Sequence, residues 1–381
     1  MAAVNMEPYQ LGLNFEPECS SFFNASLEDE GDLQEWYYTT GETIVIAVAL
    51  SIISVGGILG NSALIAVIVF VPDMHTIMNM YLSVLASVDL LYCLCTLCDH
   101  LWTYFSSDGI AFAQPYRSDI GCAITESLVH LTLFMSMGII PLVSLERFLA
   151  VCCPLRHRYM ASKNRTIKLL ILVGIIAAML TGIVVPSYSK LLKICVIWPA
   201  TDDFSDLPTT FYQCGPVKSD FVIVHRVGEN VFFVLILLTS TIWYSKVIAH
   251  LSRRVSSEDV NGHQTHSLKT RNHVALMVIV NGLVFFCCLF PYQFFNFYIY
   301  MGFSWLTQRQ SYTFLWVARL FGALNSALNP IIYTAINPNY RGAFVEMFCR
   351  SKRRSKIRTS EWASKSLNTA TELPGPPDTA V

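Results

Sequence analysis

Seven apolar stretches, at 43–71, 78–105, 120–152, 167–187, 222–251, 272–301 and 311–335, constrain this chain more than any other feature of it. About 20 such residues, wound as a helix, cross a hydrocarbon core of ~30 Å. In lipid every backbone donor and acceptor must be satisfied within its own segment, so spans of this length read as helices. Composition agrees: charged residues make up 14% of the 381 and hydrophobic ones 53%, where a soluble domain carries about 25% charged. That is too little charge to cover a water-exposed surface of this size. The chain therefore reads as an all-α membrane protein, a bundle of seven transmembrane helices. Pro141, Pro186, Pro291 and Pro330 interrupt four of the spans, which packed membrane helices tolerate.

The distribution of charge sets the orientation. Basic residues crowd the even-numbered span ends and the C-terminal tail (Arg156, Arg158, Lys163, Arg165, Lys168, Lys246, and the run from Arg350 to Lys365), while the opposite loops are nearly bare. Positive loops stay inside, so the N-terminus is expected outside and the tail in the cytoplasm, at the plasma membrane. Before residue 43 there is no Lys or Arg, and Glu7, Glu16, Glu18, Glu28, Asp29, Glu30, Asp32, Glu35 and Glu42 are all acidic. The first span follows this acidic segment and is too long for a cleaved signal peptide, so it reads as a signal anchor. The expected organisation is an extracellular acidic segment (1–42), the bundle (43–335), an amphipathic helix on the membrane surface (336–349) and a disordered cytoplasmic tail (350–381). Tyr340, Phe344 and Phe348 carry the helical spacing of that surface helix, and Cys349 at its end is a palmitoylation candidate. Asn24-Ala25-Ser26 is a glycosylation sequon on the side expected outside.

Polar groups inside spans are costly and mark function or pairing. Asn61 lies in the first span, Asp89 in the second, and Asn325, Ser326 and Asn329 in the seventh. Hydrogen bonding between helices, worth under about 2 kcal/mol per contact, accounts for a lone Asn. It does not account for a carboxylate at mid-span, which needs a counterion, a proton or a hydrated cavity.

These residues fall in motifs. Gly60-Asn61, Leu85-Ala86-Ser87-Val88-Asp89, Glu146-Arg147-Phe148 and Asn325-Ser326-Ala327-Leu328-Asn329-Pro330-Ile331-Ile332-Tyr333 occur in order on the first, second, third and seventh spans. Over roughly 45–349 the chain resembles the rhodopsin-like (class A) G-protein-coupled receptors. The resemblance implies a receptor that binds an extracellular ligand and activates a heterotrimeric G protein. It implies a sodium site at mid-membrane from Asp89, Ser136, Asn325, Ser326 and Asn329, oxygen ligands that suit a hard cation, and otherwise no cofactor and no metal. It implies a switch comprising Glu146, Arg147, Tyr244, Phe285, Pro291, Pro330 and Tyr333. In that switch Arg147 pairs with Glu146 at rest and swings toward Tyr244 and Tyr333 on activation. Cys122, 25 residues before Arg147, stands where the family's disulfide begins. Its expected partner is Cys195, with Cys214 the rival, and whichever is left over pairs with Cys19 in an oxidising compartment.

The chain departs from the family pattern in several places. Leu289 replaces the tryptophan of Cys-Trp-x-Pro, Ile236 stands where the fifth span usually has proline, and Phe148 replaces the usual Tyr. Arg271 occupies the position of the acidic residue that locks Arg147, the fourth span has no tryptophan, and Pro141 in the third is unusual.

The ligand class can be narrowed. Val129, 18 residues before Arg147, stands where amine receptors resemble one another in carrying Asp, and Ala323 stands where opsins carry their retinal lysine. A peptide fits better: the segment between the fourth and fifth spans is long and contains Cys195-Val196-Ile197-Trp198-Pro199, similar to several neuropeptide receptors, in which it forms a hairpin over an open pocket. Glu126, His130, Arg226, Glu229, Tyr292, Gln293, Asn296 and Arg319 lie in the outer halves of the helices and are the expected ligand contacts. Glu126 or Glu229 would receive a ligand cation, and Arg319 an acidic or carbonyl group; the alternative is that such charges pair among themselves, Glu126 with Arg319. The acidic N-terminus would attract a basic peptide by steering.

On the inner side, tail Ser and Thr residues would recruit arrestin when phosphorylated, and Thr379-Ala380-Val381 resembles a PDZ-domain ligand. No nucleic-acid partner is expected. His263 and His266 have no further ligands nearby and read as no metal site. A lipid or small metabolite is the alternative ligand. A membrane enzyme or transporter is the alternative class, but no His–carboxylate cluster for hydrolysis and no repeat with broken helices can be read in the spans.

Overall fold

The computed structural model describes residues 19–25, 37–107, 109–111, 113–199, 207–258, 266–303 and 305–348. Helices α1 (Thr40–Phe70), α2 (Ile77–Phe105), α3 (Asp119–Cys152), α5 (Lys163–Val184), α6 (Ser219–Glu258), α7 (His266–Tyr300) and α8 (Gln308–Ile336) occupy the seven expected spans. Six of them are long and apolar enough to cross a membrane; α8, with 29 residues, carries the polar Asn325-Ser326-Asn329 stripe. Four helix starts are written locally. The Thr39 and Thr307 side chains accept from the backbone N–H three residues on, with Glu42 and Gln310 reaching back, and the Ser118 and Thr76 side chains cap α3 and α2. Glu42 is thereby spent: it is buried, caps α1 and accepts from Thr313 Oγ1 at 2.9 Å, so it is no part of a steering field. The other acidic residues of the N-terminal segment lie outside the described residues.

The outward face of the bundle exposes large apolar side chains, among them Ile52, Leu59, Ile171, Met179, Leu238 and Leu283. Such a surface is stable only against lipid. Inside, small residues let backbones approach: a Cβ at Gly57 would meet Cys93 of α2 and Ala327 of α8, and one at Gly138 would fall on Val173 of α5. Asn61 donates to Gly57 O at 2.9 Å and to Ser326 O at 3.0 Å, the expected hydrogen-bond glue between α1 and α8. Pro141, Pro291 and Pro330 sit within continuous helices, whereas Pro186 closes α5 in a 3-10 turn, Val185–Ser187. A six-residue π segment, Ile44–Ala49, lies near the start of α1.

A short helix α4 (Pro154–Met160) follows α3, and the amphipathic helix α9 (Pro338–Phe348) follows α8 with Tyr340 buried, Phe344 half-buried and Phe348 exposed. Cys349, like the tail beyond it, lies outside the described residues. At the opposite end strands β2 (Lys190–Ile197) and β3 (Thr210–Gly215) form the expected antiparallel hairpin. A third strand, β1 (Ser21–Asn24), adds in parallel to β2, so the N-terminal segment joins the sheet. The side chains of Asn24 and Arg271 are outside the described residues.

The disulfides correct the expected pairing. Cys122 bonds Cys214, and Cys19 bonds Cys195. The register explains why. Leu191 lies opposite Cys214, and its backbone N–H donates to Asp119 Oδ1 at 2.7 Å, which seats that end of the hairpin on the start of α3. Cys195 stands four residues farther along β2, about 13 Å away at strand rise, beyond the ~7 Å Cα separation a disulfide spans. It lies instead opposite Phe22 of β1.

Candidate functional site

Below the sheet a cavity descends between α2, α3, α6, α7 and α8. Ser21, Leu192, Ile194 and Gln213 form its roof, and Phe285, Leu289 and Asn325 its deep end. Of the expected ligand contacts, Glu126, His130, Arg226, Tyr292, Asn296 and Arg319 line it. Glu229 and Gln293 do not. Glu229 is buried and fully engaged, with Oε2 3.2 Å from His225 Nε2 and accepting from Asn296 Nδ2 at 3.4 Å, while Oε1 accepts from Gln293 Nε2 at 3.1 Å. Of the two carboxylates expected to receive a ligand cation, Glu126 lines the cavity and Glu229 does not. Glu126 and Arg319 form no ion pair with each other among the described residues, so the pairing alternative is not realised. The Arg319 guanidinium stacks over Trp316, 5.0 Å from its ring centroid.

Among the polar residues of this cavity that escape the sequence reading are Asp99, His100 and His225. Asp99 accepts from Tyr116 Oη and lies 3.6 Å from His100 Nδ1. Burial, and next the adjacent Asp99 charge, hold the Tyr116 phenol above its ordinary range. His225 lines the wall beside His130, their ring centroids 4.8 Å apart. The adjacent acid and imidazole of Asp99-His100 in an apolar span, and the four-residue interval from His225 to Glu229, are the signals that would have found them.

Deeper, Asp89 accepts from Ser326 Oγ at 2.9 Å and from Asn329 Nδ2 at 2.5 Å. Ser136 and Asn325 lie at the cavity floor, and Asn325 Oδ1 is buried with no partner among the described residues. The oxygens of Asp89, Ser136, Asn325 and Ser326 fit a hard cation; Asn329 turns its N–H group, not its oxygen, to the carboxylate.

At the other end of the bundle a second cavity opens among α2, α3, α7 and α9, with Arg147 on its wall. Glu146 does not pair with Arg147. Successive residues of a helix point about 100° apart, and Glu146 faces the α4 side, where it meets His157 Nε2 at 2.7 Å and Arg165 at 3.0 Å. Arg147 Nε instead lies 3.2 Å from the Met78 sulfur. Tyr244 and Tyr333 are buried, and neither hydroxyl has a partner among the described residues. Phe285 packs edge-on against Phe286, their ring centroids 5.3 Å apart, and Pro291 lies six residues beyond it on the same helix.

A seven-helix bundle with this ordered set of polar residues defines a class. The family model of the 7 transmembrane receptor (rhodopsin family) matches residues 60–333, and the chain belongs to that family. Its similar relatives include the growth hormone secretagogue receptor type 1 of Sus scrofa, 27% identical over 333 residues, which cover 82% of this chain and 85% of the relative. They include also the galanin receptor 2a of Danio rerio, 24% identical over 81% of this chain and 78% of the relative, and the thyrotropin-releasing hormone receptor of Gallus gallus, 23% identical over 84% and 82%. The chain is a multi-pass membrane protein.

Proposed function

We propose that the chain is a plasma-membrane receptor whose sheet end faces outside, that a short basic or amidated peptide enters the cavity beneath the sheet, and that binding activates a heterotrimeric G protein at the opposite end. The observation that carries this reading is the cavity itself: it holds Glu126 and Arg319 unpaired with each other under a cross-linked hairpin, so a ligand with both a cation and a carbonyl finds complementary charge. The peptide class is supported by relatives named for hormone and galanin reception.

On activation Arg147 would leave Met78 for the unpartnered hydroxyls of Tyr244 and Tyr333, moving α7 and widening the inner cavity for a G-protein helix, a two-state rearrangement biased by ligand. Asp89, Ser136, Asn325 and Ser326 would hold a sodium ion, which would supply the buried carboxylate with a counterion. Phosphorylated tail Ser and Thr residues would recruit arrestin, Thr379-Ala380-Val381 would bind a PDZ domain, Asn24 would be glycosylated and Cys349 palmitoylated.

The test is expression with a promiscuous G protein and a screen of a neuropeptide library. An agonist response should vanish in Arg147→Ala. Charge-assisted contacts contribute about 1.5–3 kcal/mol, so Glu126→Gln should weaken a basic agonist about 10- to 150-fold. Unchanged potency for every basic peptide agonist in Glu126→Lys refutes the ligand assignment.

A further inference from the structure

We propose that His130, His225 and Glu229 form a site for a zinc-class divalent cation in the wall of the outer cavity, its fourth coordination position facing the cavity. The inference does not depend on the ligand being a peptide.

The hydrogen-bond pattern decides where the protons are. His130 Nδ1 lies 2.8 Å from the backbone carbonyl of Glu126, which can only accept, so Nδ1 carries the proton. Ser187 Oγ donates its one proton to Val184 O at 2.7 Å, so it too can only accept from His225 Nδ1, 2.8 Å away. With both rings neutral, each imidazole presents a lone pair at Nε2. These two Nε2 atoms face each other at 3.1 Å, and Glu229 Oε2 lies 3.2 Å from that of His225. The three atoms converge on a point that a shared proton or a metal cation would fill.

The spacing is that of a metal site. Two ligand atoms about 2.0–2.1 Å from a tetrahedral zinc stand about 3.3 Å apart, close to both measured separations. The three ligand atoms all lie within 4.8 Å of one another. The surroundings also match: both imidazoles donate their far N–H to a fixed oxygen, and Gln293 and Asn296 orient the carboxylate, the outer-shell arrangement that fixes tautomer and aim. Tyr188 stacks on His130, centroids 5.1 Å apart at 13°, and covers one side of the ring. His130 and His225 both reach the cavity, which gives an ion its entry path. Because His130 belongs to α3 and the other two ligands to α6, a bound ion would clamp those helices together and offer its open position to a cavity ligand.

The test uses the full-length receptor in nanodiscs, stripped with chelator and titrated with Zn2+ against a chromogenic competitor, with Co2+ absorption as a second readout. One equivalent should bind, and Co2+ should give tetrahedral d–d bands. His130→Ala and His225→Ala should each weaken binding by on the order of 100-fold, and Ser187→Ala, which touches no metal, by about 10- to 100-fold. His225→Cys should retain the site, since thiolate is a zinc ligand, and this guards against misreading a misfolded variant. His100→Ala, in the same cavity but outside the cluster, should bind as the parent does. Absence of stoichiometric zinc in the parent overturns the proposal and leaves a shared proton between the two rings. Binding that survives in both histidine-to-alanine variants overturns it equally.

Discussion

Replacing Asp89 by Asn should weaken the two hydrogen bonds that tie α2 to α8. The carboxylate accepts at both oxygens, from Ser326 at one and Asn329 at the other. An amide turned with its oxygen to Asn329 can donate its N–H group to the Ser326 hydroxyl, which also accepts, so Asp89→Asn can keep both contacts but only as bonds to a neutral group. A neutral interhelical bond in lipid averages about 0.6 kcal/mol, but a bond to a charged group contributes about 1.5–3 kcal/mol. Asp89 is 1% exposed and both its contacts are short, so the larger figure applies. At about 2–4 °C per kcal/mol for a folded body of 150–250 residues, melting should fall by roughly 3–12 °C. Adding Asn329→Asp restores an acceptor opposite the new donor, with the polarity reversed. A thiol-reactive dye can follow the melt, because Cys93 and Cys288 are free and buried until the bundle opens. The double variant should regain more than half of the loss, the coupling a mutant cycle isolates. If it melts no higher than the less stable single variant, complementary pairing is not what holds these helices here.

Non-reducing peptide mapping should recover Cys122 joined to Cys214 and Cys19 joined to Cys195; a peptide joining Cys122 to Cys195 would refute the hairpin register. A Cβ at Gly282 would fall on the Tyr244 ring, so Gly282→Val should destabilise the receptor by about 1–3 kcal/mol and alter basal signalling, read by melting and nucleotide exchange. Glu146→Gln removes the charge that Arg165 and His157 share, and hydrogen–deuterium exchange should rise across Pro154–Met160 if that carboxylate is what anchors α4.

The spans were legible because membrane crossing imposes a minimum apolar length, and that length survives in the sequence with ends shifted by a few residues. Asp89, Ser326 and Asn329 were legible because a carboxylate in lipid demands partners. Relationships set by strand register were not. Cys195 and Cys214 are equivalent candidates until the position of Leu191 opposite Cys214 is known. The engagement of Glu146 by Arg165 depends on where a short loop helix places the start of α5, and adjacency to Arg147 in sequence hid that the two side chains diverge. His225 was passed over because its meaning comes from His130, 95 residues away.

Two covalent ties bear on how anything reaches the cavity. One fastens β3 to the start of α3, and the other fastens β2 to the N-terminal strand. The first pins β3 to the bundle, and the second ties two parts of the roof to each other, so the sheet moves as one piece held at the start of α3. The α7–α8 connection, 301–307, contains no cysteine. Widening of the entrance is least constrained on that side, away from the disulfide at the start of α3.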